Sequence, residues 1–299
     1  MTDRPAPLFG AFLTPLAAEH ASLVAQALAA ERVGLDLVGI QDHPYQRRFL
    51  DTFVLIADLL ARTERLRIFP DVANLPLRGP VMIAKAAASL DVMSGGRFEL
   101  GIGAGTFWDA VAGMGGPKRR AGESIDALTE AMGIIRAALD GERVVRGDGP
   151  HYPVPGYPPG PPPAHRVELW VGAYRRRGLD LIGRLGDGWV PSLGYMGPDE
   201  FRVAARKLDE AAVRAGRDPH QIRRIYNLSG VITDGPIGDG PLNGPVKLWV
   251  ETLTEWVLDL GVDAFLFSPS DMTTVDIERF GTEIAPAVRE NVARARAAT

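Results

Sequence analysis

Ser94-Gly95-Gly96-Arg97-Phe98-Glu99-Leu100-Gly101-Ile102-Gly103-Ala104-Gly105 holds a turn, a strand and a glycine-rich strand end, and Pro80 to Val92 ahead of it is a helix. Pro80 suits a first helical turn because its missing N–H would be unpaired there in any case. Ser94-Gly95-Gly96 ends the helix, and Arg97 to Ile102 reads as a strand. A helix, a tight turn and a strand in that order form half of a parallel crossover.

Outward from this unit the pattern repeats. Upstream, Leu8 to Leu13, Leu35 to Ile40 and Leu66 to Phe69 are apolar strand runs. They alternate with a helix from about Ala21 to Val33, stopped by Gly34, and one capped by Asp51 and running to Leu60. Downstream come a helix Ala121 to Leu139, a strand Glu168 to Val171, a helix Leu179 to Leu185 and a strand Gly188 to Pro191. A helix Asp199 to Ala215, a strand Arg224 to Leu228, a helix Val246 to Leu260, a strand Val262 to Phe267 and a closing helix Thr273 to Arg294 complete the series. Two segments interrupt it. From Gly147 to Pro163 twelve of seventeen residues are Gly or Pro, and Thr233 to Pro245 holds seven, so both read as loops without helix or strand that rim the mouth. Eight strand–helix units without a shift in composition predict the α/β class and a closed (β/α)8 TIM barrel, a single domain over 1–299 with loop excursions at 147–164 and 233–245.

Composition narrows the chemistry. The 299 residues are 46% hydrophobic and 23% charged, enough apolar content for a large core. The formal charge of -4 and the scatter of arginines along the chain argue against nucleic acid as a partner. Without cysteine there are no disulfides, thiolate metal sites or Cys nucleophiles. Met1 to Pro7 has no apolar stretch of signal-peptide type, and no long apolar window suggests a membrane span, so the expected location is cytoplasmic.

In such a barrel the chemistry sits at the C-terminal ends of the strands. Those positions carry Gln41-Asp42-His43-Pro44-Tyr45, then Asp71-Val72-Ala73-Asn74, then Gly103 through Gly105, Thr106 and Asp109, then Gly172-Ala173-Tyr174-Arg175. His43 between a carboxylate and a proline can exchange a proton with a ligand, or can serve its own loop. The remaining histidines fall at no ligand spacing, so no metal is expected. Gly101-Ile102-Gly103-Ala104-Gly105 lacks the third glycine and the later acid of a dinucleotide fingerprint. It reads as a strand end open to a planar ring, or as a tight turn without a ligand. Gly172 to Arg175 leads into a helix whose amides, dipole and arginines suit a phosphate, although Arg175, Arg176 and Arg177 diverge around the axis.

These segments in this order resemble the bacterial luciferase-like superfamily, above all Ala61 to Arg67, Pro80 to Asp91, Ser94 to Gly105 and Gly183 to Trp189. The resemblance implies a TIM barrel using FMN or the deazaflavin coenzyme F420. Asp-His after the second strand resembles the F420-dependent branch, which implies that Asp42 contacts the deazaflavin and that His43 stands by the hydride-carrying carbon. It also implies a non-prolyl cis peptide at Asp71-Val72 and a hydrogen bond between Asp109 and the ring. Thr106 replaces a glutamate acid of the sugar-phosphate dehydrogenases, which argues against sugar-phosphate oxidation. The double-histidine loop of light-emitting members is missing. The expectation is an F420-dependent oxidoreductase moving a hydride to or from a small organic substrate. The alternatives are an FMN-dependent monooxygenase using reduced flavin and O2, or a flavin-binding barrel without turnover. Relatives often form dimers, so a homodimer is compatible. Trp108, Trp189, Tyr195 and Phe267 are candidates for an aromatic pocket or for plain core.

Overall fold

The apolar runs become strands and all of them lie parallel, joined by helices that pass over the outside. In a computed structural model describing residues 4–298, the barrel strands are β1 (Leu8–Leu13), β2 (Leu37–Ile40), β3 (Arg67–Pro70, resuming at Ala73–Asn74), β4 (Leu100–Gly103), β5 (Leu169–Gly172), β6 (Gly188–Trp189), β7 (Arg223–Ser229) and β8 (Ala264–Ser268). Met1 to Asp3, part of the segment read for a leader, and Thr299 lie outside the described residues. β1 pairs with β2 on one side and with β8 on the other, with Leu8 opposite Ala264 and Gly10 opposite Leu37. The circle closes at β3 and β4, where Ile68 bridges Phe98 and Ala73 pairs with Ile102.

The principal helices are α1 (His20–Arg32), α2 (Thr52–Arg62), α3 (Pro80–Ser94), α4 (Ala121–Leu139), α5 (Arg176–Leu185), α6 (Pro198–Arg214), α7 (Val246–Glu255) and α8 (Ala285–Ala297). Local chemistry sets their ends. Asp51 accepts a hydrogen bond from the Val54 amide at 3.1 Å and caps α2, while α3 opens on Pro80 and stops at Gly95, which adopts φ +69.

Strand alternation divides the core in two. Leu37, Phe69, Trp170, Val190, Ile225, Ala264 and Leu266 point inward and plug the barrel, the Phe69 and Trp170 rings meeting edge to face at 4.7 Å. Outward-facing residues such as Phe9, Val38, Ile68, Val171 and Phe267 pack under the helices. Each such buried side chain contributes about 1.5–3 kcal/mol. The filled interior leaves ligands only the strand ends.

The two segments read as loops are partly stranded. Val145–Gly147 and Val154–Tyr157 form an antiparallel hairpin, and Val231–Ile232 pairs in parallel with Asn243–Gly244. Pro155 and Gly156 sit between the paired Val154 and Tyr157, so the missing proline N–H breaks no ladder bond. The hairpin lies along the flank, where Glu130 of α4 accepts from the His151 and Tyr152 amides and Lys85 of α3 donates to the Gly160 carbonyl. No described helix is long and apolar enough to cross a membrane.

Candidate active site

All eight strands send residues to one cleft of about 700 Å³ at their C-terminal ends. Phe12 comes from β1, Asp42 and His43 from β2, Asp71 to Asn74 from β3, and Gly103 to Phe107 from β4. Gly172 and Tyr174, Ser192 and Tyr195, Asn227 to Ser229 and Ser268 complete it from β5 to β8. No Lys or Arg is among the described lining residues.

Asp42 is buried, and Arg78 grips it with Nε on Oδ2 and Nη2 on Oδ1, both at 2.7 Å. Its Oδ2 also accepts from the Asn74 amide at 2.8 Å. Arg78 extends to Asp51 at 2.8 Å and lies over the Phe53 ring at 4.6 Å. The Asp42 carboxylate therefore ties the β2 loop to the chain after β3.

His43 is held by Tyr45, whose hydroxyl lies 2.7 Å from Nδ1, and its ring meets Phe107 edge-on at 6.0 Å. Burial pushes the imidazole pKa below its usual value against the opposing pull of Asp42, so the ring is neutral at pH 7. Burial also pushes the Tyr45 phenol up to about 12, which keeps it protonated. Nε2 has no hydrogen-bond partner among the described residues.

The floor is made by β3. The Asp71-Val72 peptide is cis. Asp71 points into the barrel beside Gly39, where an added methyl group would come within 2.8 Å of Oδ2 and 2.7 Å of Leu266. Burial pushes its carboxyl up to about 7, partly opposed by the Asn227 amide. Asp71 Oδ2, Asn74 Oδ1 and Asn227 Oδ1 are buried oxygens without a hydrogen-bond partner among the described residues. Asn227 Nδ2 reaches Ser192 Oγ at 3.3 Å, and the Tyr174 hydroxyl accepts from the Ser192 amide at 3.2 Å.

Of the residues singled out in the sequence, Asp42, His43, Asp71, Val72, Ala73, Asn74, Gly105, Thr106, Gly172 and Tyr174 line this cleft. Asp109 does not. After Phe107, which takes φ +53, the helix Trp108–Gly113 carries it outward, where it is 92% exposed and paired with Lys118. Ala173 is buried behind the wall and Arg175 is exposed at the start of α5, outside the lining. Arg176 and Arg177 face a separate groove of about 690 Å³ on the outer wall between α4, α5 and α6. There Asp126 takes Arg177 at 2.6 Å and Asp180 takes Arg214 at 2.8 Å.

The glycines of β4 serve packing before they serve a ligand. A Cβ on Gly101 would lie 2.1 Å from the Pro70 carbonyl oxygen, and one on Gly103 would lie 2.8 Å from Val72. Trp189 and Phe267 belong to the outer core, Trp108 is not a lining residue, and Tyr195 alone of those four aromatics borders the cleft. Neither Gly/Pro-rich segment supplies a described lining residue. Sequence reasoning missed Arg78, Ser192 and Asn227; for Asn227 the signal was an amide inside the apolar run Ile225-Tyr226-Asn227-Leu228.

Among known proteins, the chain is 32% identical over 188 residues to an uncharacterised protein of Mycobacterium tuberculosis, a match covering 62% of each chain. It is 30% identical over 191 residues to the 5,10-methylenetetrahydromethanopterin reductase of Archaeoglobus fulgidus, covering 63% of this chain and 53% of that one. The matches thus span less than two thirds of these curated relatives. An F420-dependent secondary alcohol dehydrogenase bound to an F420–acetone adduct superposes with a TM-score of 0.84 at 18% identity, covering 95% of this chain and 99% of the other. The FMN-bound oxygenating constituent of 3,6-diketocamphane monooxygenase from Pseudomonas putida does so with a TM-score of 0.75 at 20% identity, covering 94% and 99%. At those identities the likeness is one of fold, and the closed parallel barrel is common to both. The model of the luciferase-like monooxygenase family matches residues 8–236, most of the barrel and nearly all of its cleft, and the chain belongs to that family.

Proposed function

We propose that this luciferase-like oxidoreductase transfers a hydride between coenzyme F420 and a small organic substrate, with His43 handling the accompanying proton. The observation that carries this reading is His43 itself, which is neutral, anchored through Nδ1 by Tyr45 and left with Nε2 free at the cleft wall. A neutral imidazole accepts a proton from a substrate hydroxyl or, as the Nε2–H tautomer, donates a hydrogen bond to a carbonyl.

A flavin-type ring fits the cleft. The floor offers Asn74 Oδ1 and Asn227 Oδ1, buried acceptors without donors among the described residues that suit a planar ring edged with N–H groups, and the Val72 side chain supplies an apolar surface beneath it. When bound, that ring supplies the site of hydride transfer. Asp42 acts indirectly, holding the His43 loop against Arg78 and the Asn74 amide. Arg175, for which no ion pair occurs among the described residues, and the first amides of α5 are suited to the phosphate arm. F420 is preferred to FMN because of the Asp42-His43 sequence and the kinship with a methylenetetrahydromethanopterin reductase, since a solved tetrahydromethanopterin reductase that shares the fold is F420-dependent.

Anaerobic titration of the purified protein with F420 and with FMN, each oxidised and reduced, tests the cofactor. Tight FMN binding with no F420 affinity would overturn it. His43→Ala should keep cofactor affinity while losing about 10²–10⁴-fold in turnover on a panel of small alcohols, ketones and imines. Unchanged turnover removes His43 from the chemistry. Arg175→Ala should weaken F420 binding about tenfold and flatten its salt dependence.

A further inference from the structure

Asp71 is the one titratable group of the cleft floor that the reading above does not use. Its side chain projects from the end of β3 into the barrel, above the plug formed by Phe69, Trp170 and Leu266. Gly39 on β2 leaves it room, and Asn227 on β7 faces it. One carboxyl oxygen, Oδ2, is buried without a hydrogen-bond partner among the described residues.

The surrounding charges do not explain a carboxylate there. From the β2 end come Asp42, already taken by Arg78, and His43, which is neutral. From the β5 end comes Tyr174, whose phenol burial pushes up, with the negative charge of Asp71 adding to that rise. Tyr195 after β6 is the last titratable lining residue, the rest of the polar lining being amides and hydroxyls such as Asn74, Asn227 and Ser192, and no cation among the described lining residues faces the carboxyl. An ionised carboxylate in that position is buried at Oδ2 and has no counter-charge among the described lining residues, whereas a neutral acid carries an O–H that can donate to a ligand in the cleft.

We propose that Asp71 stands in the cleft as a neutral carboxylic acid and is the hydrogen-bond donor for a flavin-type ring that carries negative charge when reduced, so that ring binding and protonation of Asp71 are coupled. The proposal rests on the functional reading for its ligand but not for the state of the carboxyl. Protonated, Asp71 donates to the reduced, anionic ring. Ionised, it repels the ring in a cleft with no cation among its described lining residues, so the reduced form binds with uptake of one proton once Asp71 has titrated. The carboxyl pushed up to about 7 places that coupling in the neutral range.

Two measurements test this separately. Infrared difference spectra of the unliganded protein, wild type minus Asp71→Asn, should show the carbonyl stretch of a protonated carboxylic acid at about pH 5.5 and its conversion to carboxylate bands by about pH 9. Only carboxylate bands at the lower pH would overturn the proposal. Asn227→Ala, which keeps the acid and serves if Asp71→Asn fails to fold, should move this titration to higher pH, because the amide favours the ionised form. No movement would mean that the band belongs to a carboxyl other than the one facing Asn227, and would overturn the proposal.

Anaerobic binding of reduced FMN and reduced F420 is the second measurement. Above the titration of Asp71, wild-type affinity should fall about tenfold per pH unit relative to Asp71→Asn, the comparison cancelling ionisation of the ligand itself. Parallel pH profiles in the two proteins would overturn the coupling. Failure of both cofactors to bind wild type would overturn the functional reading and the ligand half of the proposal, while the infrared titration still decides the state of the carboxyl.

Discussion

Arg78 is what makes a buried Asp42 tolerable. Two charge-assisted hydrogen bonds at 2.7 Å and the Asn74 amide satisfy a carboxylate that is 2% exposed. Removing the guanidinium leaves that charge without its counter-ion, a loss of about 3–5 kcal/mol. Arg78→Met should therefore lower the unfolding free energy by about that amount in urea titrations, and the pair Asp42→Asn with Arg78→Met should lose clearly less. Equal losses would mean that the pairing does not hold the loop. Asp42 and His43 were legible because they follow an apolar strand directly. Arg78 was not, since it stands 36 residues further along the chain and meets Asp42 only when β2 and β3 lie side by side.

Among elements, the N-terminal end of the barrel is held by a charged clamp that has no part in the cleft. His165, just before β5, lies 2.7 Å from Asp91 of α3 through Nδ1 and 3.2 Å from Glu99 through Nε2. Asp91 further accepts from the Ala164 and His165 amides, and Glu99 from the Glu168 amide. The Glu99 hydrogen bond, outweighing partial burial, pushes the His165 pKa up to about 9 from its ordinary 6.5. A histidine raised on folding contributes stability that is fully present below about 6.5 and is lost as pH climbs through 9. The stability difference between wild type and His165→Gln should accordingly be largest near pH 6 and close by about pH 10, as read from denaturant titrations. A difference independent of pH would exclude the protonated clamp. Element order was legible here and the hairpin beside it was not. Gly and Pro density marks a segment unfit for a long ladder, yet two paired residues flanking a Pro-Gly step need no N–H from the proline.

At the scale of the whole molecule, ligand binding at a cleft built from all eight strand ends should stabilise the barrel as a unit. F420 at a hundred times its dissociation constant adds about 2.7 kcal/mol, which should raise Tm by roughly 5 °C. A rise with FMN and none with F420 would reverse the cofactor assignment. By itself the sequence determined the number and order of the strand–helix units, and with them that the segments after β2 to β5 converge on one mouth, though not that the two Gly/Pro-rich loops stay out of its lining. Apolar periodicity, proline at helix starts and glycine at helix ends act over a few residues and survive in one dimension. Only the tertiary structure decided what those loops do. It turned Asp109 to solvent, gave Asp42 to Arg78, and set Asp71 under a cleft with no cation among its described lining residues. Those outcomes depend on burial and on distances across the barrel, which exist only once β1 has met β8 and the ring of strands is closed.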